Sequence, residues 1–158
     1  MKDALGGVFN IWFVAVFLVF ISGYLAFSVS YSKAFKVKNK IISAIEQYQG
    51  YDNSPTSPVN IKIEGFIDEI GYNRDINSAD SETRAKNWKG DKNWQCQSGY
   101  CVAKTYVDGD ANGSATGRPK CYYSVVTFVH VPIPVFEKVL PYLSFFQTSG
   151  DTMTIYED

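Results

Sequence analysis

Histidine and cysteine are scarce in this chain, and their scarcity excludes the common metal sites. His130 is the only histidine among 158 residues, and the three cysteines contain no CxxC pair, so the sequence offers no zinc-binding set. Neither a G-x-S-x-G turn nor a phosphate-binding loop occurs, and the carboxylates are scattered through polar segments without paired spacing. We therefore expect no catalytic residues, no small-molecule substrate and no enzymatic activity.

Charged side chains are missing from a long N-terminal stretch, between Asp3 and Lys33. The residues in this gap are largely aliphatic and aromatic, and about 20 such residues allow a helix to cross the hydrocarbon of a bilayer. Trp12 near one end and Tyr24 and Tyr31 near the other suit the two interfaces. A cleaved signal peptide is the alternative, but the run is longer than a signal-peptide core and no A-x-A site follows. We predict one transmembrane helix, with the lipid bilayer as a partner.

The helical pattern continues beyond the apolar stretch. Ile41, Ile45 and Tyr48 recur at helical spacing and form an apolar stripe, and Gly50 is the expected end of the helix. The predicted organisation is a short N-terminus (1–7), a transmembrane helix (8–32), an amphipathic extension (33–50) and a domain (51–158).

The domain begins with a short helix and a polar stretch. Ser57 followed by Pro58 starts an amphipathic helix, which Gly71 ends. Segment 73–95 is polar, and we predict a long irregular surface loop there. Trp88 and Trp94 lie in this loop and are candidates for a contact patch, with structural burial as the favoured alternative.

The remainder of the domain has the pattern of an antiparallel sheet. Strands are predicted at 100–107 and 121–131, because β-branched and aromatic residues alternate there, and further extended segments flank a turn at Ser149 and Gly150. The expected fold class is α+β. It consists of a long N-terminal transmembrane helix that continues as an amphipathic helix, and a small antiparallel sheet with a short packed helix.

Three cysteines leave the disulfide pairing open. A bridge between Cys96 and Cys101 is favoured, because the predicted hairpin register places Cys101 nearer Ser124 or Val125 than Cys121. Three buried thiols in a reducing compartment are the other alternative.

The turn-rich segment between the two predicted strands contains one weak candidate for a metal site. Asp108, Asp110 and Asn112 have the spacing of the first half of a calcium loop, and a glycine follows them. Pro119 stands where the last glutamate ligand of such a loop would be, so a solvated hairpin loop is the favoured interpretation. We expect no cofactor, and calcium is the sole ion for which the sequence offers candidate ligands.

Charge placement gives conflicting indications of topology. Four lysines follow the apolar stretch, and the positive-inside rule then favours a cytoplasmic domain; they are Lys33, Lys36, Lys38 and Lys40. The cysteines and the very short N-terminus favour a domain outside the cell. Acidic residues outnumber basic ones after residue 50, so no nucleic-acid partner is expected.

Two stretches together resemble the TadE-like pseudopilins, small pilin-like proteins of tight-adherence (Tad) pilus systems, in the form found in Gram-positive bacteria. The first is residues 6–10 with the apolar run and the lysine-rich segment 31–40. The second is the hydrophobic strand and Pro-containing bend at 122–134, leading to the small-Gly-acid-Thr segment at 148–156. Together they cover about half of the chain.

The resemblance implies a type IV-related pilin-like fold with its domain outside the plasma membrane, on a bacterial cell surface. It also implies a structural subunit that assists assembly of a filament or forms part of it, with other pilin-like subunits and pilus-assembly membrane proteins as partners. A peptidase cut is then expected between Gly7 and Val8, and Gly23 and Ala26 would allow close helix contacts. No acidic residue stands among residues 8–13, directly after that cut, so a permanently anchored accessory subunit fits equally well.

Two other functions stay open. One is a membrane-anchored extracellular binding module, stabilised by calcium. The other is a small subunit of a membrane complex with its domain in the cytoplasm, which only the lysines favour.

Overall fold

The computed structural model of the protein describes residues 2–107, 119–130 and 145–156. Within these residues the fold is α+β, as predicted: three helices precede a small antiparallel sheet. The helices are α1 (Lys2–Tyr48), α2 (Pro58–Ile70) and α3 (Ser78–Lys89). The strands are β1 (Trp94–Gln97), β2 (Tyr100–Tyr106), β3 (Lys120–His130), β4 (Phe145–Asp151) and β5 (Ile155–Tyr156).

Helix α1 is the longest element of the chain. Its 47 residues give a rod of about 70 Å at the usual rise of an α-helix. The helix ends at Tyr48 because Gln49 adopts a left-handed conformation with φ 55°, and the N–H of Gly50 then donates to the carbonyl of Ile45 at 3.1 Å. The prediction that Gly50 ends the helix was therefore wrong by one residue, since Gln49 takes the position usually given to glycine.

Helices cover both faces of the sheet, so the domain has three layers. The C-terminal part of α1 and helix α2 pack on one face, and α3 packs on the other. Strand order is β1-β2-β3-β4, with β5 also paired to β3, and all pairs are antiparallel. Strand β3 is buried on both faces: Tyr123, Val125 and Val129 face α1 and α2, and Val126 and Phe128 face α3.

Helix α1 and strand β4 run in the same direction. The rings of Phe27 and Phe146 meet edge to face with centroids 4.8 Å apart, near the start of the strand. Beyond the end of the strand, the N–H of Met153 donates to a carboxylate oxygen of Glu46 at 2.9 Å. The start of β4 and the end of β3 therefore lie toward the N-terminal half of α1, and the opposite end of the sheet lies farthest from it.

The predicted irregular loop at 73–95 was wrong, because α3 and the start of β1 occupy most of it. The helix is polar along its length, and only Ser81 and Ala85 are buried, so apolar periodicity gave no signal. Capping and charge stabilise it instead: the side chain of Asn77 accepts the N–H of Asp80 at 2.8 Å. Lys86 and Glu82 form an ion pair one turn apart.

The turn predicted at Ser149 and Gly150 was also wrong, since β4 continues through both residues. They pair with Val126 and Val125 of β3, and this pairing keeps the chain extended. Gly150 lies against α1: a β-carbon there would come within 2.8 Å of the Ile42 Cδ1 atom. The small residue lets the strand approach the helix closely and does not mark a turn.

The Tyr72 hydroxyl joins the turn between β1 and β2 to the end of β3. It accepts the N–H of Phe128 at 3.0 Å and shares its own hydrogen between the carbonyls of Phe128 and Gly99, the latter at 2.8 Å. Tyr72 is buried, so these backbone groups are satisfied away from solvent.

Replacing Gly99 by alanine should destabilise the domain by roughly 2 kcal/mol, from backbone strain and a steric clash together. Gly99 has φ 94°, and a β-carbon there would lie 2.8 Å from the Cε1 atom of Tyr72. Gly90 is the matched control, because it also has positive φ (87°) but open space around the missing β-carbon. Denaturant unfolding of Gly99→Ala and Gly90→Ala measures both costs; an equal loss in the two variants would refute the clash.

Candidate functional site at the membrane anchor

The N-terminal half of α1 is an exposed apolar surface. In its most apolar stretch only 6% of the residues are buried. The helix is therefore long and apolar enough to cross a membrane. Its large exposed side chains are Val8, Phe9, Ile11, Trp12, Phe13, Val14, Phe17, Leu18, Val19, Phe20, Ile21, Tyr24, Leu25, Val29 and Tyr31.

The C-terminal half of the same helix belongs to the core of the domain. Five of its residues are no more than 1% exposed and pack against α2 and the sheet; they are Ala34, Val37, Ile41, Ala44 and Ile45. The buried hydroxyl of Thr127 donates to the carbonyl of Ala34 at 3.1 Å, where the packed half begins. Tyr48 was predicted to join the apolar stripe but is 45% exposed, because it is the last residue of the helix and lines an open groove.

Most of the lysines that follow the apolar stretch take part in the packing of the domain. The Lys33 Nζ atom donates to the carbonyl of Gly71, at the end of α2, at 3.0 Å. Lys38 is only 8% exposed, and the Lys40 Nζ atom lies 5.3 Å from the centroid of the Phe66 ring. These positions give the lysines a structural reason to be present, so their number is a weak guide to the side of the membrane.

A disulfide joins Cys96 and Cys101, the pair that the sequence favoured. The two residues face each other in the β1–β2 hairpin, with Cα atoms 4.1 Å apart. Cys121 is buried, lies outside the disulfide and pairs in register with Tyr106. The predicted hairpin register was off by one or two residues, since Cys101 lies opposite Val126.

Replacing both Cys96 and Cys101 by serine should lower the free energy of unfolding by about 2 kcal/mol, because the bond closes a short loop in the unfolded chain. Unfolding of the double variant in urea, compared with the oxidised native chain, measures this loss. Native protein treated with a reductant should reproduce the value, and an unchanged midpoint in both would show that the hairpin needs no covalent bond.

The other predicted site residues are separated in the fold. Trp88 is 42% exposed on α3, whereas Trp94 is buried in β1 and its indole N–H donates to the carbonyl of Gly90 at 3.1 Å. Gly7 and Val8 are exposed near the start of α1; farther along this helix Gly23 is buried and Ala26 is exposed.

The calcium candidates Asp108, Asp110 and Asn112 lie outside the described residues. Within the described parts of the chain, no group of three His, Cys, Asp or Glu side chains is placed to hold a metal ion.

A buried polar network connects α2 and β2, and the sequence did not predict it. The Tyr100 hydroxyl lies 3.1 Å from Asn60 Oδ1 and 3.2 Å from Glu64 Oε1, and the other carboxylate oxygen of Glu64 lies 2.6 Å from Arg74. Burial raises the pKa of Tyr100, and it raises the pKa of neighbouring Tyr51 to about 12. Tyr100 is fully buried, so the network holds α2 on the sheet and offers no access to a substrate.

Two concave surfaces lie at opposite ends of the domain. A crevice of about 150 Å³ lies beside the apolar half of α1, between that helix, the turn after α2 and the end of β3. A more open groove of about 530 Å³ lies at the far end, with Tyr48, Tyr51 and Tyr123 among its walls. Neither surface could be predicted from the sequence, because each is built from residues of distant segments.

Comparison with known proteins gives no relative: no family model, no curated protein and no solved structure matches the chain.

Proposed function

We propose that the protein is a non-enzymatic, membrane-anchored, pilin-like subunit that assists assembly of a bacterial surface filament of the Tad or type IV kind, or forms part of it. The observation that carries the proposal is the division of α1 into two halves within one uninterrupted helix. The first half is exposed and apolar, and the second is the core of a small α+β domain. One helix thus provides both the membrane anchor and part of the core of the domain.

This division suits a subunit whose work is mechanical. The exposed apolar half needs an apolar environment, which the bilayer supplies while the subunit is stored and which helices of neighbouring subunits supply in a filament. The domain is held on the same helix by buried side chains and by the Thr127 bond to Ala34. A pull on the domain is therefore transmitted directly to the anchor.

The disulfide supports a position of the domain outside the cell. Structural disulfides form and persist in oxidising compartments and are rare in the cytoplasm. The Cys96–Cys101 bond lies in the hairpin of the domain. The lysines that favour the opposite topology have packing roles, as Lys33, Lys38 and Lys40 illustrate.

Intact mass and N-terminal sequence of the protein from two fractions of the native cells test the proposal. The fractions are the membrane and the material sheared from the cell surface. A filament subunit should appear in the sheared fraction, and a start at Val8 would identify processing by a prepilin peptidase. Protein found solely in membranes, with an uncut N-terminus and no effect of its deletion on surface filaments, would refute the proposal.

A membrane-anchored extracellular binding module is the second candidate, and the far groove favours it. Tyrosine rings, the carboxylate of Asp52 and the ammonium group of Lys104 surround this groove, which is large enough for a small ligand. Exposed Tyr48 and exposed Trp88 give substitutions that leave the core intact. Tyr48→Ala and Trp88→Ala should spare filament assembly in a pilin-like subunit, whereas loss of cell-surface binding with normal filaments would favour the module.

A further inference from the structure

The crevice beside the apolar half of α1 is lined by both apolar and polar groups. Helix α1 contributes Val29, Ser30 and Lys33 to its wall, and β3 contributes Phe128 and Val129. The turn after α2 closes the third side. No acidic side chain is among its described lining residues, so the ammonium group of Lys33 sets the sign of its charge.

The position of the crevice along α1 places it at the surface of the bilayer. Lys33 carries the first charge after Asp3, and Val29, one turn earlier, is 57% exposed and belongs to the apolar half. A helix that crosses the hydrocarbon with its apolar half therefore brings residues 29–33 to the level of the lipid headgroups. At this level phospholipids are the most abundant ligands available.

The chemistry of the lining residues selects a lipid with a negative headgroup. An ammonium group has three N–H donors, and Lys33 uses one of them on the carbonyl of Gly71 at 3.0 Å. The others are available to an anion. The exposed side chain of Val29 suits the glycerol and upper acyl carbons of the same molecule.

We propose that this crevice binds the headgroup phosphate of an anionic phospholipid, with Lys33 as its donor. The inference rests on insertion of α1 in a membrane and not on the formation of filaments. A volume of about 150 Å³ admits a phosphate with part of its glycerol, while the acyl chains stay in the bilayer. The lipid would thereby fix the depth and rotation of the domain at the membrane surface.

Lys33 has a second role that makes its charge necessary. The last carbonyls of α2 carry partial negative charge, which would repel an anion, and the Lys33 ammonium offsets it at Gly71. Loss of the lysine therefore removes the donor and leaves the unfavourable dipole. Lys36 is the matched control, because it is exposed in the same lysine cluster and does not line the crevice.

Native mass spectrometry of the full chain, purified in mild detergent and supplied with phosphatidylglycerol or phosphatidylcholine, tests the proposal. The native chain and Lys36→Gln should retain one phosphatidylglycerol, and Lys33→Gln should bind it about fivefold more weakly, the effect of one lysine at a membrane surface. Lys33→Arg should keep most of the binding. Near-UV circular dichroism of each variant separates loss of the site from loss of the fold.

Equal retention of both lipids, or equal weakening by Lys33→Gln and Lys36→Gln, would overturn the proposal. Displacement of the lipid by inorganic phosphate would also overturn it, since the site would then be a general anion site. Membrane fractionation of the cells that express the same chains distinguishes failure of this inference from failure of the proposed function. A chain that fractionates with membranes but shows no lipid preference refutes this inference alone, whereas a chain that never enters membranes refutes the proposed function.

Discussion

Replacing Ile41 by alanine is expected to lower the free energy of unfolding of the domain by about 2–5 kcal/mol. Ile41 is fully buried between α1 and the sheet, so truncation removes its contacts and leaves a cavity. Ile11 is the matched control on the same helix, because it is 73% exposed. Ile11→Ala should change the stability of the domain by no more than about 0.5 kcal/mol.

Urea unfolding of the two variants in mild detergent, followed by near-UV circular dichroism, measures this difference. The signal comes from aromatic residues of the domain such as buried Trp94 and Tyr100. A large loss for Ile41→Ala alone means that one half of α1 is core and the other is free for lipid or neighbouring helices. Similar losses in both variants would mean that the N-terminal half also packs on the domain, and the division of α1 would be wrong.

Alkaline pH is the second strong test, because two buried tyrosines hold their protons in the folded state. Burial raises the pKa of Tyr72 and of Tyr100 above the ordinary value of about 10. Above that pH the unfolded chain releases protons that the folded chain keeps, so the free energy of unfolding falls as pH rises. Each tyrosine should contribute about 1.4 kcal/mol per pH unit from about pH 10 upward, until its folded-state pKa is reached.

Urea unfolding at pH 9, 10 and 11, with tyrosinate absorbance recorded in parallel, measures the slope. Tyr100→Phe should remove about 1.4 kcal/mol per pH unit from the slope, and Tyr72→Phe should do the same, although both variants are less stable at every pH. Tyr51, whose pKa burial raises to about 12, adds to the slope in both variants. Absorbance should show that these two hydroxyls ionise together with unfolding. Ionisation of all tyrosines before any loss of structure would contradict their burial.

Features with a local cause could be predicted from the sequence. The apolar half of α1 follows from the absence of charge between Asp3 and Lys33, and α2 follows from Ser57, Pro58 and Gly71 at its ends. Strand β3 follows from its β-branched and aromatic residues. In each case one segment carries the whole signal, so no knowledge of distant partners is needed.

Features that depend on distant partners could not be predicted. The Tyr72 hydroxyl bonds to Phe128, which is 56 residues away, and Tyr100 reaches Asn60 across 40 residues. Neither pairing leaves a local pattern. Helix α3 could not be predicted for a different reason: its stability comes from capping and ion pairs on a polar surface, and these leave no apolar periodicity. Asn77 followed by Asp80, and Gly90 beyond the last lysine, were the signals available.

We propose that α1 anchors the domain on the outer side of the membrane, and labelling of introduced cysteines in intact cells is the sharpest test of this topology. Asn87 is exposed on α3, Cys96 and Cys101 are joined in the disulfide, and Cys121 is buried, so the native background should be low. A membrane-impermeant maleimide should label Asn87→Cys in intact cells as fully as in lysed cells. Lys2→Cys, in chains that retain residues 1–7, should be labelled only after lysis. Labelling of Asn87→Cys only after lysis would place the domain in the cytoplasm and contradict the account.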